Sequence, residues 1–465
     1  MILEDKNIKQ VHCLGIGGIG VSAIAEILLE KGYRVTGSDV VDNHNIARLK
    51  SLGANIVLGH TQNNIHNADL AIYSSAIAQD NPELVAAKNA GIPLYQRGKF
   101  LAELMTNYYS IAIAGAHGKT TTSGMIAHML LTSGMDPTFT LGGIVNSIER
   151  PSRLGKSNYF VAEADESDAS FLFMSPQIGV VTNIDTDHLQ TYGGNFERLR
   201  ETFVKFLKKI PPDGVAVLCI DDPVVREIIP QLTCSILTYG FSEDADFSAN
   251  SFVQRGMNST FTVKRPGEAL PLAVTVSMPG QHNALNALAA MAVAHVLHVD
   301  DEFLLQSLAH FPGVGRRFHC HGEMTVADGT AMILEDYGHH PNEIRATLQT
   351  AQQVWPDRRV VLIFQPHRYT RTRDLMDEFT DVLAEAETLI LLEIYAASEK
   401  PIAGIDSQSL CHAVHRISKN KPIYVPSLEK LPAVVEEIVR KNDVVILQGA
   451  GSVGSMALQL LRHKG

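Results

Sequence analysis

Lys119 ends the run Gly115-Ala116-His117-Gly118 and is followed by Thr120, Thr121 and Thr122. Glycines let backbone N–H groups close around an anion, a lysine at a helix start neutralises phosphate oxygens, and the next hydroxyl suits Mg2+. The apolar run SIAIA precedes this stretch and a helical pattern follows it, so the segment reads as a phosphate loop at a strand-to-helix turn. The usual spacing places glycine at position 113, where this chain has Ile113, so the loop is a shortened one. Two acidic clusters follow apolar runs: Glu163 with Asp165, Glu166 and Asp168, and Asp185 with Asp187 and His188. One or two such side chains suffice for a hard cation that keeps several waters, and Glu163 and His188 are the expected ligands beside Thr120.

A second glycine loop, Gly15-Ile16-Gly17-Gly18-Ile19-Gly20, lies between an apolar strand and a helix, and Asp39 closes the next strand. Its amides at a helix N-terminus serve any diphosphate, so Gly17, Gly18, Ile19, Gly20 and Asp39 are expected around a diphosphate rather than specifically a dinucleotide. A nicotinamide-dependent dehydrogenase would leave the lysine loop and both acidic clusters idle. A phosphate-loop switch or motor would leave the first and last thirds of the chain without a task. A third group follows strand-like runs near the C-terminus: Asp336 before His339 and His340, and FQPHRYTRTRD with His367, Arg368 and Arg371. Arginines there suit bidentate carboxylate or phosphate binding. His12, His44, His60, His66, His128, His412 and His415 stand alone and read as satisfied or solvated side chains.

These groups need sheets to hold them. Residues 1–107 alternate β-rich runs with helical stretches in the manner of a Rossmann-like domain. Residues 108–312 read as a phosphate-loop-type central sheet, with a small antiparallel addition at 240–280 and then the helix HNALNALAAMAVAHVL. After the turn-rich HFPGVGRRFH the βα alternation restarts and fills a Rossmann-like domain over 313–465, with a hinge expected from Pro312 to Arg317. The expected fold is therefore α/β with three domains. The length, 465 residues, the 45% hydrophobic and 19% charged content and the net charge of −11 fit a globular enzyme, and argue against nucleic acid as a partner. No run is long and apolar enough to span a bilayer and no secretion signal opens the chain, so a cytoplasmic protein without membrane insertion is expected. The five cysteines are unpaired in pattern and read as reduced thiols.

GIGGIG, GAHGKTTT, EADESDASF, TNIDTDHLQTY, GQHNALNA, GVGRRF, EDYGHHPNE, FQPHRYTRT and IYAASEKP follow one another across nearly the whole chain. As an ordered set they resemble the Mur ligases. GKTTT and the HNxxNA pattern are of a kind shared across that superfamily, folylpolyglutamate synthase included, whereas DYGHHPNE with FQPHRYTRT is similar to the L-alanine-adding branch. The resemblance implies an ATP- and Mg2+-dependent amide ligase joining L-alanine to the lactyl carboxylate of UDP-N-acetylmuramate through an acyl phosphate. The alternative is a recycling ligase that attaches a murein tripeptide to the same sugar. It further implies that Gly115, His117, Gly118, Lys119, Thr120 and Thr121 hold ATP, with His282, Asn283 and Asn286 on the adenine side and Asp336 at the ribose. Arg316 would reach the γ-phosphate from the hinge. Ser74, Ser75 and Arg97 would touch the UDP-sugar, and His339, His340, His367, Arg368 and Arg371 the reacting amine and carboxylate. A monomer or weak homodimer is expected. Sibling ligases carry a carbamoylated lysine some fifteen positions past the metal-binding histidine; Phe203 stands there in this chain, so that modification is not expected, and Lys205, close by, is the alternative that keeps the question open.

Overall fold

The computed structural model describes residues 7–146, 148, 150–187, 189–397, 399–418 and 421–462. Five parallel strands form the first sheet: β1 (Gln10–Leu14), β2 (Arg34–Asp39), β3 (Asn55–Leu58), β4 (Leu70–Tyr73) and β5 (Leu94–Gln96), in the order β3-β2-β1-β4-β5. Strand order reverses beside β1, and the glycine loop leaves β1 at its carboxyl end, where open α/β sheets bind ligands. Helix α1 (Ile19–Glu30) starts directly after Gly18, α2 (His44–Ser51) is capped by the Asn43 side chain, and α3 (Pro82–Asn89) combines an Asn81 cap with proline in its first turn. Helix α4 (Arg97–Met105) closes this region.

The second sheet has ten strands: β6 (Tyr109–Ala114), β7 (Thr138–Thr140), β8 (Ser152–Arg153), β9 (Tyr159–Glu163), β10 (Ile178–Val181), β11 (Val215–Cys219), β12 (Ser235–Gly240), β13 (Phe247–Arg255), β14 (Asn258–Lys264) and β15 (Leu272–Val276). Their order is β15-β14-β13-β12-β11-β10-β6-β9-β7-β8, so the expected addition at 240–280 extends the main sheet; its first strand, β13, pairs parallel to β12. Strand β6 lies between β9 and β10, parallel to both. The lysine loop after β6 is therefore flanked by the segments that follow its two neighbours, which carry the two acidic clusters. Five helices belong to this region: α5 (Lys119–Thr132), α6 (Phe196–Leu207), α7 (Pro223–Ile228), α8 (Gln281–Val296) and α9 (Asp301–Ala309). One apolar core runs from Val11, Ile24 and Phe100 of the first region to Phe160, Phe171 and Phe206 of the second. The two regions accordingly form a single compact unit reaching to Pro312, apart from two short stretches.

Residues 313–465 make up nearly all of a second compact unit. Its sheet contains β16 (His319–Val326), β17 (Gly329–Asp336), β18 (Val360–Phe364), β19 (Thr388–Leu392), β20 (Ile423–Val425) and β21 (Val444–Gln448), ordered β16-β17-β21-β18-β19-β20. The edge strand β16 is antiparallel to β17, and the other strand pairs are parallel. Strand β18 (VVLIF) is buried throughout because helices cover both faces: Val360, Leu362 and Phe364 enter one core, Val361 and Ile363 the other. The helices are α10 (Pro341–Val354), α11 (Tyr369–Asp374), α12 (Met376–Leu383), α13 (Ser407–Ile417), α14 (Leu431–Ile438) and α15 (Met456–Arg462).

Candidate active site

The lysine loop is laced into its surroundings by side chains from the segment after β10 and from α8. The His117 N–H donates to Asn183 Oδ1 at 2.8 Å, and the His117 carbonyl accepts from Thr182 Oγ1 at 2.6 Å and Asn183 Nδ2 at 3.0 Å. The His117 ring meets Asp185 at 3.1 Å. From α8, Asn286 accepts from Thr122 at 3.1 Å and donates to Asn283 at 3.2 Å, and Asn283 in turn meets His282 at 3.1 Å. Both loop glycines are required by space and by backbone: a Cβ on Gly115 (φ +133°) would lie 2.1 Å from Thr182 Oγ1, and one on Gly118 (φ +84°) 2.6 Å from Asn286 Oδ1. The loop thus brings together the expected ATP contacts Gly115, His117, Gly118, Lys119, Thr120, Thr121, His282, Asn283 and Asn286.

Lys119 is held by carbonyl and carboxylate oxygens. Its Nζ donates to the Gly115 carbonyl, to the Ala116 carbonyl at 3.2 Å and to Glu166 Oε1 at 2.8 Å. Burial works against its charge, but Glu166, Asp165 and Glu163 outweigh that and raise its pKa, so it stays protonated. Burial pushes the Glu166 carboxyl up to about 7, with the Lys119 charge offsetting part of the rise. Glu163 accepts from the Gly142 N–H at 2.6 Å and from Ser123 Oγ at 3.4 Å, and Ser123 also donates to the Thr120 carbonyl at 3.2 Å. Ser123 therefore ties Glu163 to the backbone of α5 at Thr120. His188, the other expected metal ligand, lies outside the described residues. Phe203 is buried with its ring 5.2 Å from that of Phe171, while Lys205 sits on the exposed face of α6 beside Glu201 at 3.9 Å.

In the first glycine loop, Asp39 Oδ2 accepts from the Gly17 N–H at 2.8 Å, and Asn43 and Asn45 donate to the Gly17 carbonyl at 3.2 and 2.9 Å. The Ser38 carbonyl accepts the N–H groups of Gly15 and Ile16. Asp39 in this structure is a brace of the loop, further engaged by the N–H groups of Val40 and Val41. Gly18 and Ile19 carry the chain into α1. Gly20 is forced by Arg97, whose Cδ would lie 2.6 Å from an added Cβ. The Arg97 guanidinium continues to Asp165 at 3.1 Å and Asp168 at 3.4 Å, linking the first loop to the acidic segment beside Lys119. Ser74 packs against Gly15, whereas Ser75 is exposed. His12 and His60 both turn to Glu83, at 3.1 and 3.3 Å, which supports their reading as satisfied side chains.

The C-terminal unit gathers the remaining residues at the carboxyl ends of β17, β18, β19 and β21. The Arg316 Nε donates to Glu335 at 2.7 Å, its Nη2 to the carbonyls of Gly449 and Gly451 at 3.0 and 3.2 Å, and its guanidinium stacks 4.7 Å from the Tyr337 ring centre. Both oxygens of buried Asp336 accept from neighbours: Phe318 N–H at 2.9 Å, Gly338 N–H at 2.7 Å and Gln448 at 3.2 Å. His340 caps α10 in a capping box with Glu343, and the His339 N–H donates to the same Glu343 at 2.8 Å. The His339 and His367 ring centres are 5.8 Å apart, His367 stacks on Tyr395 at 5.5 Å, and Arg371 meets His367 Nδ1 at 3.3 Å. Arg368 enters α11 with φ +73°, a strained conformation for a side-chain-bearing residue, fixed by its N–H to the Tyr395 carbonyl. Burial first, then the charges of His339, Arg371, Arg368 and Arg316, lower the His367 pKa to about 3. Its imidazole stays neutral at physiological pH and is a weak base.

Three family models cover nearly all of the chain: the Mur ligase family catalytic domain at residues 10–109, the Mur ligase middle domain at 113–294 and the Mur ligase glutamate ligase domain at 316–451. The chain belongs to the Mur ligase family. Among its relatives, the UDP-N-acetylmuramate–L-alanine ligase of Coxiella burnetii is 56% identical over all 465 residues of both chains. Among solved Mur ligases, the UDP-N-acetylmuramate-alanine ligase MurC of Thermotoga maritima superposes with a TM-score of 0.82 at 29% identity, covering 97% of this chain and 98% of that one. A murein peptide ligase from Psychrobacter arcticus shares the fold, with a TM-score of 0.73 at 23% identity over 98% of this chain and 99% of that one. The Mur ligase fold has the three α/β regions expected from the sequence. No helix among the described residues is long and apolar enough to cross a membrane.

Sequence reasoning passed over several side chains of the Mur ligase site. Glu166 was counted only among the acids around the expected metal ligand, yet it is the partner of Lys119. Asn183 was not singled out although it is bonded to the loop on both sides of His117. Gly449-Ala450-Gly451-Ser452-Val453-Gly454 follows β21 and precedes α15, a third GxGxxG whose spacing was visible in the sequence, and Gln365 Oε1 accepts the Val453 N–H at 3.0 Å to hold it. Glu335 and Tyr337 lie in EDYGHHPNE and Tyr395 in IYAASEKP, but only the fold brings them to Arg316 and His367.

Proposed function

We propose that this protein catalyses ATP-dependent ligation of L-alanine to the lactyl carboxylate of UDP-N-acetylmuramate, in the cytoplasm, as a step of peptidoglycan synthesis. The observation that carries this reading is full-length identity of 56% to the Coxiella burnetii enzyme of that name. The domain division taken for it is 1–107 for the sugar nucleotide, 108–312 for ATP and 313–465 for the amino acid.

In this reading the amides of the lysine loop and Lys119 hold the ATP phosphates, with His282, Asn283 and Asn286 toward the adenine. The donor set fits a hard divalent ion: Thr120 supplies a hydroxyl and Glu163 a carboxylate, which Ser123 of the same helix as Thr120 meets at 3.4 Å. Mg2+ bound there would neutralise charge on the phosphate oxygens. His188 is proposed as a further ligand. The lactyl carboxylate attacks the γ-phosphorus, ADP leaves, and the resulting acyl phosphate is opened by the amine of L-alanine with release of phosphate. The chain contributes positioning and charge, from Lys119 and from Arg316. The amine must be unprotonated, and Arg316, Arg368 and Arg371, which depress the His367 pKa, lower that of an incoming ammonium by the same field. His339, His340 and His367 then act as hydrogen-bonding neighbours of the amine and carboxylate rather than as a strong base. Gly17, Gly18, Ile19, Gly20, Ser74, Ser75 and Arg97 face the sugar nucleotide, with Asp39 bracing their loop.

The test is phosphate release from Mg-ATP with UDP-N-acetylmuramate and each amino acid in turn, and with the murein tripeptide. Dependence on the sugar nucleotide and L-alanine together is the expected result. Tripeptide dependence would assign the recycling ligase, and release without any sugar nucleotide would overturn the proposal.

A further inference from the structure

Three carboxylates face Lys119, and they are not equivalent. Glu163 already accepts from Gly142 and Ser123, and Asp165 is paired with Arg97 and accepts from the Ser167 N–H at 3.0 Å. Glu166 is different. Its side chain is buried, Oε1 takes Lys119 Nζ at 2.8 Å, and Oε2 is buried with no hydrogen-bond partner. Its segment is pinned from behind by Tyr192, whose hydroxyl donates to the Glu166 carbonyl at 2.5 Å. A buried carboxylate with one bare oxygen is costly unless a cation balances it, and Lys119 is the cation in contact with it. Lys119, for its part, is folded back onto Gly115 and Ala116 of its own loop.

We propose that Glu166 is a positioning residue that stands in for phosphate on Lys119 before nucleotide binds, so that an incoming nucleotide must take the lysine from it. This rests on the reading of residues 115–122 as the nucleotide phosphate site. The exchange is one anion for another on a single ammonium, with no covalent step. Glu166 keeps the lysine charged and inside the loop, where a free lysine would turn to solvent. Holding it that way weakens nucleotide binding, because part of the attraction between Lys119 and phosphate is spent on breaking the existing pair.

The proposal makes a prediction that a purely structural acid does not. Removing a structural carboxylate weakens or leaves unchanged the binding of a ligand it never touches; removing a competitor tightens it. In E166Q the amide keeps shape and a hydrogen bond but not charge, so Lys119 lacks its counter-ion until phosphate arrives. Calorimetric titration with ADP, with and without Mg2+, should show binding about tenfold tighter than wild type in both conditions. The thermal midpoint of E166Q should be lower without nucleotide and gain more from added ADP than that of wild type. Unchanged or weaker ADP binding in E166Q overturns the proposal. Weakening confined to the Mg2+ arm also overturns it, because the bare oxygen would then belong to a cation site. Should E166Q not fold, E166D, which withdraws the carboxylate from Nζ while keeping its charge, is read in the same titration. Tighter ADP binding supports the proposal and unchanged or weaker binding overturns it. Failure of wild-type protein to bind ADP would sink the nucleotide reading itself and is a separate outcome.

Discussion

The two glycine loops of the N-terminal unit share a backbone plan and differ in the sign of the side chain that closes them. Each follows a strand flanked by two parallel neighbours and opens a helix, so each offers backbone amides to an anion. The loop at 115–122 adds a half-buried lysine, which is paired with Glu166. The loop at 15–20 contains no cation and is braced by Asp39, with an acid bonded to one of its own amides. A bound phosphate that only has to be held can be served by amides. One that must accept negative charge during transfer needs a fixed positive charge, and the chain places lysine only where transfer is proposed.

The largest expected effect breaks this asymmetry at its source. Lys119→Met keeps the aliphatic stem and removes the charge, and kcat should fall by about 10³ or more while the affinity for UDP-N-acetylmuramate stays within about threefold. Equal loss of both would show that the lysine loop does not act separately from the first loop. Next comes a pair of glycine substitutions. Gly115→Ala meets Thr182 Oγ1 at 2.1 Å and the Asn183 backbone at 3.0 Å with φ +133°, so urea unfolding should show a loss of about 3 kcal/mol together with weakened ATP binding. Gly18→Ala meets only the Gly15 carbonyl at 3.4 Å, an ordinary contact, and should cost under about 1 kcal/mol. If the two cost the same, the lysine loop is not the tighter one.

Buried Glu83 sharpens the comparison from beneath the first loop. It accepts from Ser38 Oγ at 2.6 Å, and the Ser38 carbonyl holds the Gly15 and Ile16 amides. Burial works to raise its pKa, but hydrogen bonds from His12, Ser38 and Asn64 outweigh that and hold it down at about 2. The folded value is below the ordinary one of 4.5, so the stability it contributes is whole above about pH 4.5 and is lost as the pH falls toward 2. Glu83→Gln should lower stability at neutral pH by about 2 kcal/mol and flatten the acid limb of the unfolding midpoint. An unchanged acid limb would show that other carboxylates carry it.

Much of this architecture could be read from residue spacing because it depends on local rules. Strand ends marked by Asp39, Glu163 and Asp336 and helix starts at Gly18 and Lys119 follow from periodicity and glycine placement. What could not be read was how acids are shared out. Glu163, Asp165, Glu166 and Asp168 look alike in EADESD, and only the packing of α4 against that segment gives Arg97 to Asp165 and Asp168 and leaves Glu166 to Lys119. Likewise the addition at 240–280 carried no record of which strand it joins, since short alternating runs do not name a neighbour; β12 takes β13 as a parallel neighbour through Tyr239 and Gly240. Histidine is a common general base, and the burial of His367 among arginines, a tertiary property, makes it a poor one.

The smallest effect is expected at Asp39, and it decides what that acid is for. In a dinucleotide-binding sheet an acid at this place would bind a ribose hydroxyl, and its loss would cost ligand affinity directly. Here its oxygens are taken by the N–H groups of Gly17, Val40 and Val41. Asp39→Asn keeps one acceptor for those amides and loses a charge-assisted bond, which loosens the loop. It also removes a negative charge beside the proposed diphosphate, which favours binding. The two effects oppose each other, so KM for UDP-N-acetylmuramate should move by about threefold or less, with kcat and KM for ATP unchanged. A rise in that KM beyond about thirtyfold would mean that Asp39 is a ligand and not a brace, and the first loop would then use an acid for recognition where the second uses one to occupy its lysine.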